Sequence, residues 1–359
     1  MEDTFRTLDR LRHTEPRVAM VTLVGARDTT PRHPGARMFV GAGGRRLGES
    51  IGGAIDARVT AEAEQVLAAG SPRLVTMQLN DEEAWEIGFT CAGTAELLVE
   101  PVTFGAPDPV SDAYDRARDE LAAGRAVVVV APLDGRRGRL LLYSSGNTAG
   151  TLGDPATDEA ARVHAMAMLA VGTSHVARLE VDCAEVPLYF ERIAPPPTLV
   201  IFGTGALAEA LLAIAGRFGM RVVVVEGRER FARRELLAAA SEVLSGPPAE
   251  VASRLPLGPH TAVLLVSHDH RHDLGVVRQL LQGRAGYIAT LGSRRRAQEL
   301  RELLRAEGFG EAQVQRLRIP AGVEAAVQGA APVAMSVVSE IVRVLQGRPA
   351  DGGRPRPGG

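Results

Sequence analysis

Thr198-Leu199-Val200-Ile201-Phe202-Gly203-Thr204-Gly205-Ala206-Leu207-Ala208 decides the fold of the second half of this chain. The first five residues carry no charge and read as a strand buried on both faces. Two glycines follow at once, and an apolar, alanine-rich helix runs from Ala206 to Phe218. Together the glycines and Ala208 match G-x-G-x-x-A, the alanine variant of the dinucleotide fingerprint. Gly203 permits the tight turn, Gly205 lets backbone approach a phosphate, and small Ala208 lets helix and strand pack closely. A purely structural tight turn would use the same letters. Glu226 ends the next strand, Val222 to Val225, at the place where a carboxylate reads a ribose hydroxyl in this fold.

The alternation continues. Ala262 to Val266 and Tyr287 to Thr290 read as further strands, with helices near Leu274 to Leu281 and Arg294 to Glu307. Strand and helix in turn are the mark of a parallel sheet covered on both faces. The fold class is therefore α/β, with an N-terminal duplicated α+β domain followed by a Rossmann-like doubly wound sheet over residues 198–346. The tail 347–359, rich in Gly, Pro and Arg, is expected to be disordered.

Two further segments belong to the carboxyl end of that sheet. Ser267-His268-Asp269-His270-Arg271-His272-Asp273 follows the third strand. Three readings stay open for it: an N-cap by Asp273 beside solvated histidines, ligand contacts by side chains such as His268, or a metal site if the segment is extended. Leu291-Gly292-Ser293-Arg294-Arg295-Arg296 follows the fourth strand, and its capping Ser293 and Arg294 suit an anion, with a solvated basic face as the alternative.

Ahead of Ala194-Pro195-Pro196-Pro197 the pattern changes. Strands at Val18 to Val24 and Ala36 to Val40 lead through Gly41, Gly43 and Gly44 to Leu47-Gly48-Glu49-Ser50-Ile51-Gly52-Gly53, and then to a helix from Ala54 to Ala69 closed by Gly70. The same order recurs at Ala126 to Ala131, Arg139 to Tyr143, Ser144 to Asn147 and a helix from Thr157 to Ala170. Arg37 and Arg139, Gly44 and Gly146, Gly48 and Gly150, and Gly70 and Gly172 are each 102 positions apart. A duplicated unit is expected, one copy over 1–103 and a degenerate copy over 111–194.

Composition narrows the function. With 41 basic against 43 acidic residues, a net charge of -2 and no long basic run, the chain lacks a surface for nucleic acid. No apolar stretch suits a signal peptide or a membrane span, so a cytoplasmic location is expected. Every basic residue other than histidine is arginine, which excludes Schiff-base lysine chemistry and a Walker-A loop. The two cysteines cannot build a disulfide framework. Cys91, in a glycine-rich turn, is either a reactive sulfur or a small buried hydrophobe, and Cys183 is expected to be the latter.

Taken together, Thr30-Pro31-Arg32, Pro34-Gly35-Ala36-Arg37-Met38, Ile51-Gly52-Gly53, Gly88-Phe89-Thr90-Cys91-Ala92-Gly93, Val99-Glu100-Pro101, Ser267-His268-Asp269-His270 and Tyr287 to Arg296 resemble the XdhC/CoxI family. That resemblance implies an accessory chaperone, not an enzyme, for maturation of xanthine dehydrogenase and other molybdenum hydroxylases. It implies binding of the molybdenum cofactor, as molybdopterin or its dinucleotide form. A cysteine desulfurase would install the terminal sulfur, and the apo-hydroxylase would receive the product. Homodimerisation is a further implication. Carried over, Cys91 is the candidate molybdenum ligand, Gly52 and Gly53 the close-approach backbone, and Gly203, Gly205 and Arg294 the phosphate or nucleotide contacts. The chain departs from the family at Ala54, Asp56, Ala92 and Glu226-Gly227-Arg228. The alternatives are an NAD(P)-dependent oxidoreductase with a histidine proton donor, and a degenerate paralogue that binds nothing.

Overall fold

A computed structural model describes residues 2–28, 34–48, 50–51, 55–79, 93–170, 172–227, 239–266, 270–323 and 328–345. Among the expected site residues, Gly52, Gly53, Cys91 and His268 lie outside these, as does the side chain of Arg294. The 347–359 tail lies outside them too. The chain forms two compact units, Met1–Pro195 and Pro196–Gly359. No helix among the described residues is long and apolar enough to cross a membrane.

The first unit contains one element order twice. Helix α1 (Glu2–Thr14), strands β1 (Arg17–Asp28), β2 (Arg37–Val40) and β3 (Arg46–Gly48), helix α2 (Asp56–Ala69), and strands β4 (Arg73–Leu79) and β5 (Gly93–Thr103) make the first copy. Helix α3 (Pro109–Ala122), strands β6 (Val127–Pro132), β7 (Arg139–Tyr143) and β8 (Thr148–Thr151), helix α4 (Pro155–Ala170), and strands β9 (His175–Val181) and β10 (Ala184–Ile193) make the second. The sheet orders correspond strand for strand, β3-β2-β1-β5-β4 and β8-β7-β6-β10-β9, with neighbours antiparallel.

Strand alternation explains why the central strands look apolar throughout. In β1, Ala19, Val21 and Leu23 pack with Val59, Ala63 and Val66 of α2. Val18 and Met20, on the other face, join Phe5, Leu8 and Phe39 in a core shared with Val110, Ala117, Val127, Val129 and Ile193 of the second copy. Each sheet is thus covered on one face by its own helix and on the other by the opposite copy.

Helix α3 begins at Pro109, between the two expected copies 1–103 and 111–194. Asp108 caps it, accepting from the backbone N–H groups of Val110 (3.0 Å) and Ser111 (3.2 Å), and it also pairs with Arg137 at 2.5 Å. Asp108→Ala should cost about 2 kcal/mol, the loss of a cap plus a largely buried ion pair, read as a lowered urea midpoint at unchanged slope.

Cys183 corrects a reading of the sequence. It is exposed rather than a buried hydrophobe, in the two-residue turn between β9 and β10. Asp182 and Cys183 both have positive φ, 50° and 64°, the geometry that matches a tight hairpin to the twist of its strands.

The second unit is a six-stranded parallel sheet. Strands β11 (Thr198–Phe202), β12 (Arg221–Glu226), β13 (Glu242–Ser245), β14 (Thr261–Leu265), β15 (Tyr287–Thr290) and β16 (Leu317–Arg318) lie in the order β13-β12-β11-β14-β15-β16. That is the 3-2-1-4-5-6 order of the Rossmann fold, which reverses direction between β11 and β14. Helices α5 (Ala206–Arg217), α6 (Pro248–Arg254), α7 (His270–Gln282), α8 (Arg294–Ala306), α9 (Glu311–Val314) and α10 (Ala330–Leu345) connect and cover it. One face buries Leu199 and Ile201 with Leu211 of α5 and Val338 of α10, and the other buries Val200 and Phe202 with Val277 and Leu280 of α7.

Candidate functional site

In an open parallel sheet the loops at the carboxyl ends of the strands, beside the reversal of strand order, form the ligand edge. Here that edge starts at Gly203, whose N–H donates to the Val225 carbonyl at 2.9 Å and so ties the turn to the neighbouring strand. Gly203 and Gly205 have φ of 111° and 125°, values that a side chain disfavours. Around Gly205, the N-cap of α5, a Cβ would meet nothing within 4 Å among the described residues, and none of their side chains caps the helix. A helix start without a side-chain cap offers amide donors and a partial positive charge, which suits an anion. Ala208 is fully buried beside Leu199 and Ile201, which is the close helix-to-strand contact the motif needs.

Glu226 is 5% exposed, and the Thr204 hydroxyl donates to its Oε2 at 2.6 Å. The middle residue of the glycine turn is thus fastened to the carboxylate at the end of β12. A ribose hydroxyl arriving here would share that carboxylate with Thr204.

At β15 the geometry is more committed than the sequence suggests. The Ser293 hydroxyl accepts from the Arg296 N–H at 3.3 Å and caps α8. Of the three arginines, Arg296 pairs with Asp273 at 3.3 Å and Arg295 with Glu299 at 2.9 Å. Both arginines that follow Arg294 thus have carboxylate partners. Gly292 is closely walled, since a Cβ there would lie 3.1 Å from Arg296 Cδ and 3.3 Å from Ile319 Cγ2. The Ala321 N–H donates to the Thr290 carbonyl at 3.2 Å, which brings the Pro320-Ala321-Gly322 loop to the same edge.

The histidine segment requires a correction. Helix α7 begins at His270, so Asp273 lies in its first turn and is not its N-cap. Its buried carboxylate is used by Arg296 instead. A helical backbone from His270 onward also removes the two-residue alternation on which a metal site depended. No cluster of three metal-ligating side chains occurs among the described residues.

In the first unit, the structure reveals a feature that sequence reasoning missed. Arg37 at the start of β2 pairs with Glu191 of β10 at 2.5 Å, and Arg139 at the start of β7 pairs with Glu100 of β5. The pairs are reciprocal, each joining one copy to the other, and all four side chains are 1–3% exposed. This is the self-complementary pattern of a two-fold interface within a single chain. Tyr114 of α3 adds to one pair only: it donates to Glu191 Oε2 at 2.6 Å, accepts from Arg37 and lies under its guanidinium at 4.7 Å. Burial pushes its phenol far above the ordinary range. Arg37 opens β2, so the ion pair with Glu191 ties the start of that strand to the second copy. The available signal was a charged residue at a core position of an apolar strand, as in Leu97-Leu98-Val99-Glu100 and Leu188-Tyr189-Phe190-Glu191.

Known proteins accord with this arrangement. The XdhC Rossmann domain matches residues 199–341, and the XdhC and CoxI family matches residues 11–78. A protein of Bacillus subtilis (strain 168) named as one of the probable subunits of xanthine dehydrogenase is 25% identical over 340 residues, 94% of this chain and 96% of its own. The molybdenum cofactor insertion chaperone PaoD of Escherichia coli (strain K12) is 23% identical, over 90% of this chain and 82% of its own. The crystal structure of a xanthine dehydrogenase from Bacillus halodurans superposes with a TM-score of 0.69 at 23% identity, covering 98% of this chain and 97% of that one, and so shares the fold. With residues 11–78 matched by the XdhC and CoxI family and residues 199–341 by the XdhC Rossmann domain, the chain belongs to the XdhC and CoxI family.

Proposed function

We propose that this protein is an accessory chaperone that binds the molybdenum cofactor and delivers it, after sulfuration, to a xanthine dehydrogenase-type molybdenum hydroxylase. The observation that carries this reading is the end-to-end similarity to a relative whose name is molybdenum cofactor insertion chaperone. The phosphate-ready turn at Gly203 to Gly205 supports it, because molybdopterin and its dinucleotide form both carry phosphate. In this reading Gly203, Gly205, Ala208 and Glu226 hold the phosphate or nucleotide end, with His268, Ser293 and Arg294 as further contacts. Cys91, Gly52 and Gly53 serve the molybdenum end, and a cysteine desulfurase supplies the sulfur.

An NAD(P)-dependent oxidoreductase would use the same turn, since a fold fixes a ligand class and not a reaction. Reconstitution separates the two. Apo-hydroxylase, molybdenum cofactor and a desulfurase with cysteine should yield active hydroxylase faster with this protein present than without it. Cys91→Ser should remove most of the gain. An equal yield without the protein, together with nicotinamide turnover by the protein alone, favours the oxidoreductase.

A further inference from the structure

His164 of α4 and His175 at the start of β9 bring their Nε2 atoms to 3.1 Å. At that spacing a single proton is shared, or a single cation takes its place. Two cis nitrogens bonded to one metal at about 2.0–2.1 Å stand roughly 2.9–3.4 Å apart, so the observed spacing is within the bite of one ion. His175 Nδ1 faces the Thr173 carbonyl at 2.9 Å. A proton on Nδ1 satisfies that contact and leaves the Nε2 lone pair aimed at His164, which is how protein ligands to metals are commonly oriented. Both rings rest against buried Phe190, with centroids 4.5 Å and 5.9 Å away.

The internal duplication supplies a control. The positions 102 residues earlier are Glu62 and Arg73, at the corresponding places on α2 and β4, and they form an ion pair at 2.9 Å. The first copy thus crosslinks helix to strand by charge. The second copy makes the same crosslink with two imidazoles.

We propose that His164 and His175 form a two-histidine site for a borderline divalent transition metal of the zinc class, independent of the cofactor site. No third histidine, cysteine or carboxylate joins them among the described residues, so water completes the coordination and the ion remains exchangeable. Binding moves the shared proton from His164 Nε2 to its Nδ1.

The test is a calorimetric titration of full-length reduced protein with zinc chloride. Wild type should take up one equivalent more than His164→Glu/His175→Arg, which transplants the ion pair of the first copy and so retains the crosslink. His164→Gln and His175→Gln should each weaken that equivalent about tenfold or more, since chelation is lost. The proposal is overturned if wild type and the transplanted variant bind the same number of zinc ions with the same affinity. Should the double variant fail to fold, unchanged zinc binding in both glutamine variants overturns it equally.

Discussion

Arg139→Met will lower stability by about 3–5 kcal/mol near pH 8 and by clearly less near pH 5. The first part follows from burial. Glu100 is 1% exposed, one of its carboxylate oxygens has no partner among the described residues, and Arg139 supplies the other contact. Removing the guanidinium leaves a charge in the shared core of the two copies. The second part follows from linkage. Desolvation already pushes the Glu100 carboxyl above its ordinary pKa against the pull of Arg139, and removing that pull raises it further. A folded-state pKa above the unfolded one contributes stability that is present at low pH and lost as pH rises through the folded value. The deficit should therefore shrink in acid as the carboxyl takes up a proton. Arg139→Met/Glu100→Leu should recover most of the loss, because two apolar side chains leave no orphaned charge. Urea melts at the two pH values decide this, and a deficit below about 1 kcal/mol, flat with pH, would mean that water reaches the pair.

Gly205→Asp should abolish nucleotide binding while the Rossmann unit still folds. The substitution places a carboxylate at the start of α5, where no described residue lies within 4 Å of a Cβ and no side chain caps the helix. Like charge against a phosphate costs several kcal/mol, so affinity for an ADP probe should fall about 100-fold or more. The positive φ of 125° adds a strain of about 1–3 kcal/mol, which the melting temperature will report separately. Unaltered ADP affinity in a folded Gly205→Asp variant would remove phosphate binding from this turn.

The parts of the fold legible in the sequence are those that rest on local chemistry. Thr198 to Ala208 specify a strand, a turn and a helix through side-chain size and backbone freedom within eleven residues, and the structure has all three there. Strand β13 is not legible because this edge strand, Glu242–Ser245, has exposed polar ends and no buried apolar run, and β16 because it has only two residues; both are defined by pairing, with β12 and β15. Cys183 defies its residue type because the geometry of a two-residue hairpin outweighs side-chain apolarity there. The reciprocal pairs are beyond local reading, since Arg37 and Glu191 are far apart in sequence and meet only when the two copies pack. Asp273 looks like a cap only if the helix starts at Leu274 instead of His270, a boundary that backbone hydrogen bonds decide.

The central claim is that this protein carries molybdenum cofactor. The most direct measurement is the molybdenum and pterin content of protein purified anaerobically from a host that makes the cofactor, with Cys91→Ala alongside. Near-stoichiometric molybdenum and pterin in wild type, lost in the variant, is the predicted result. Absence of both from wild type, with cofactor demonstrably present in the host, would contradict it.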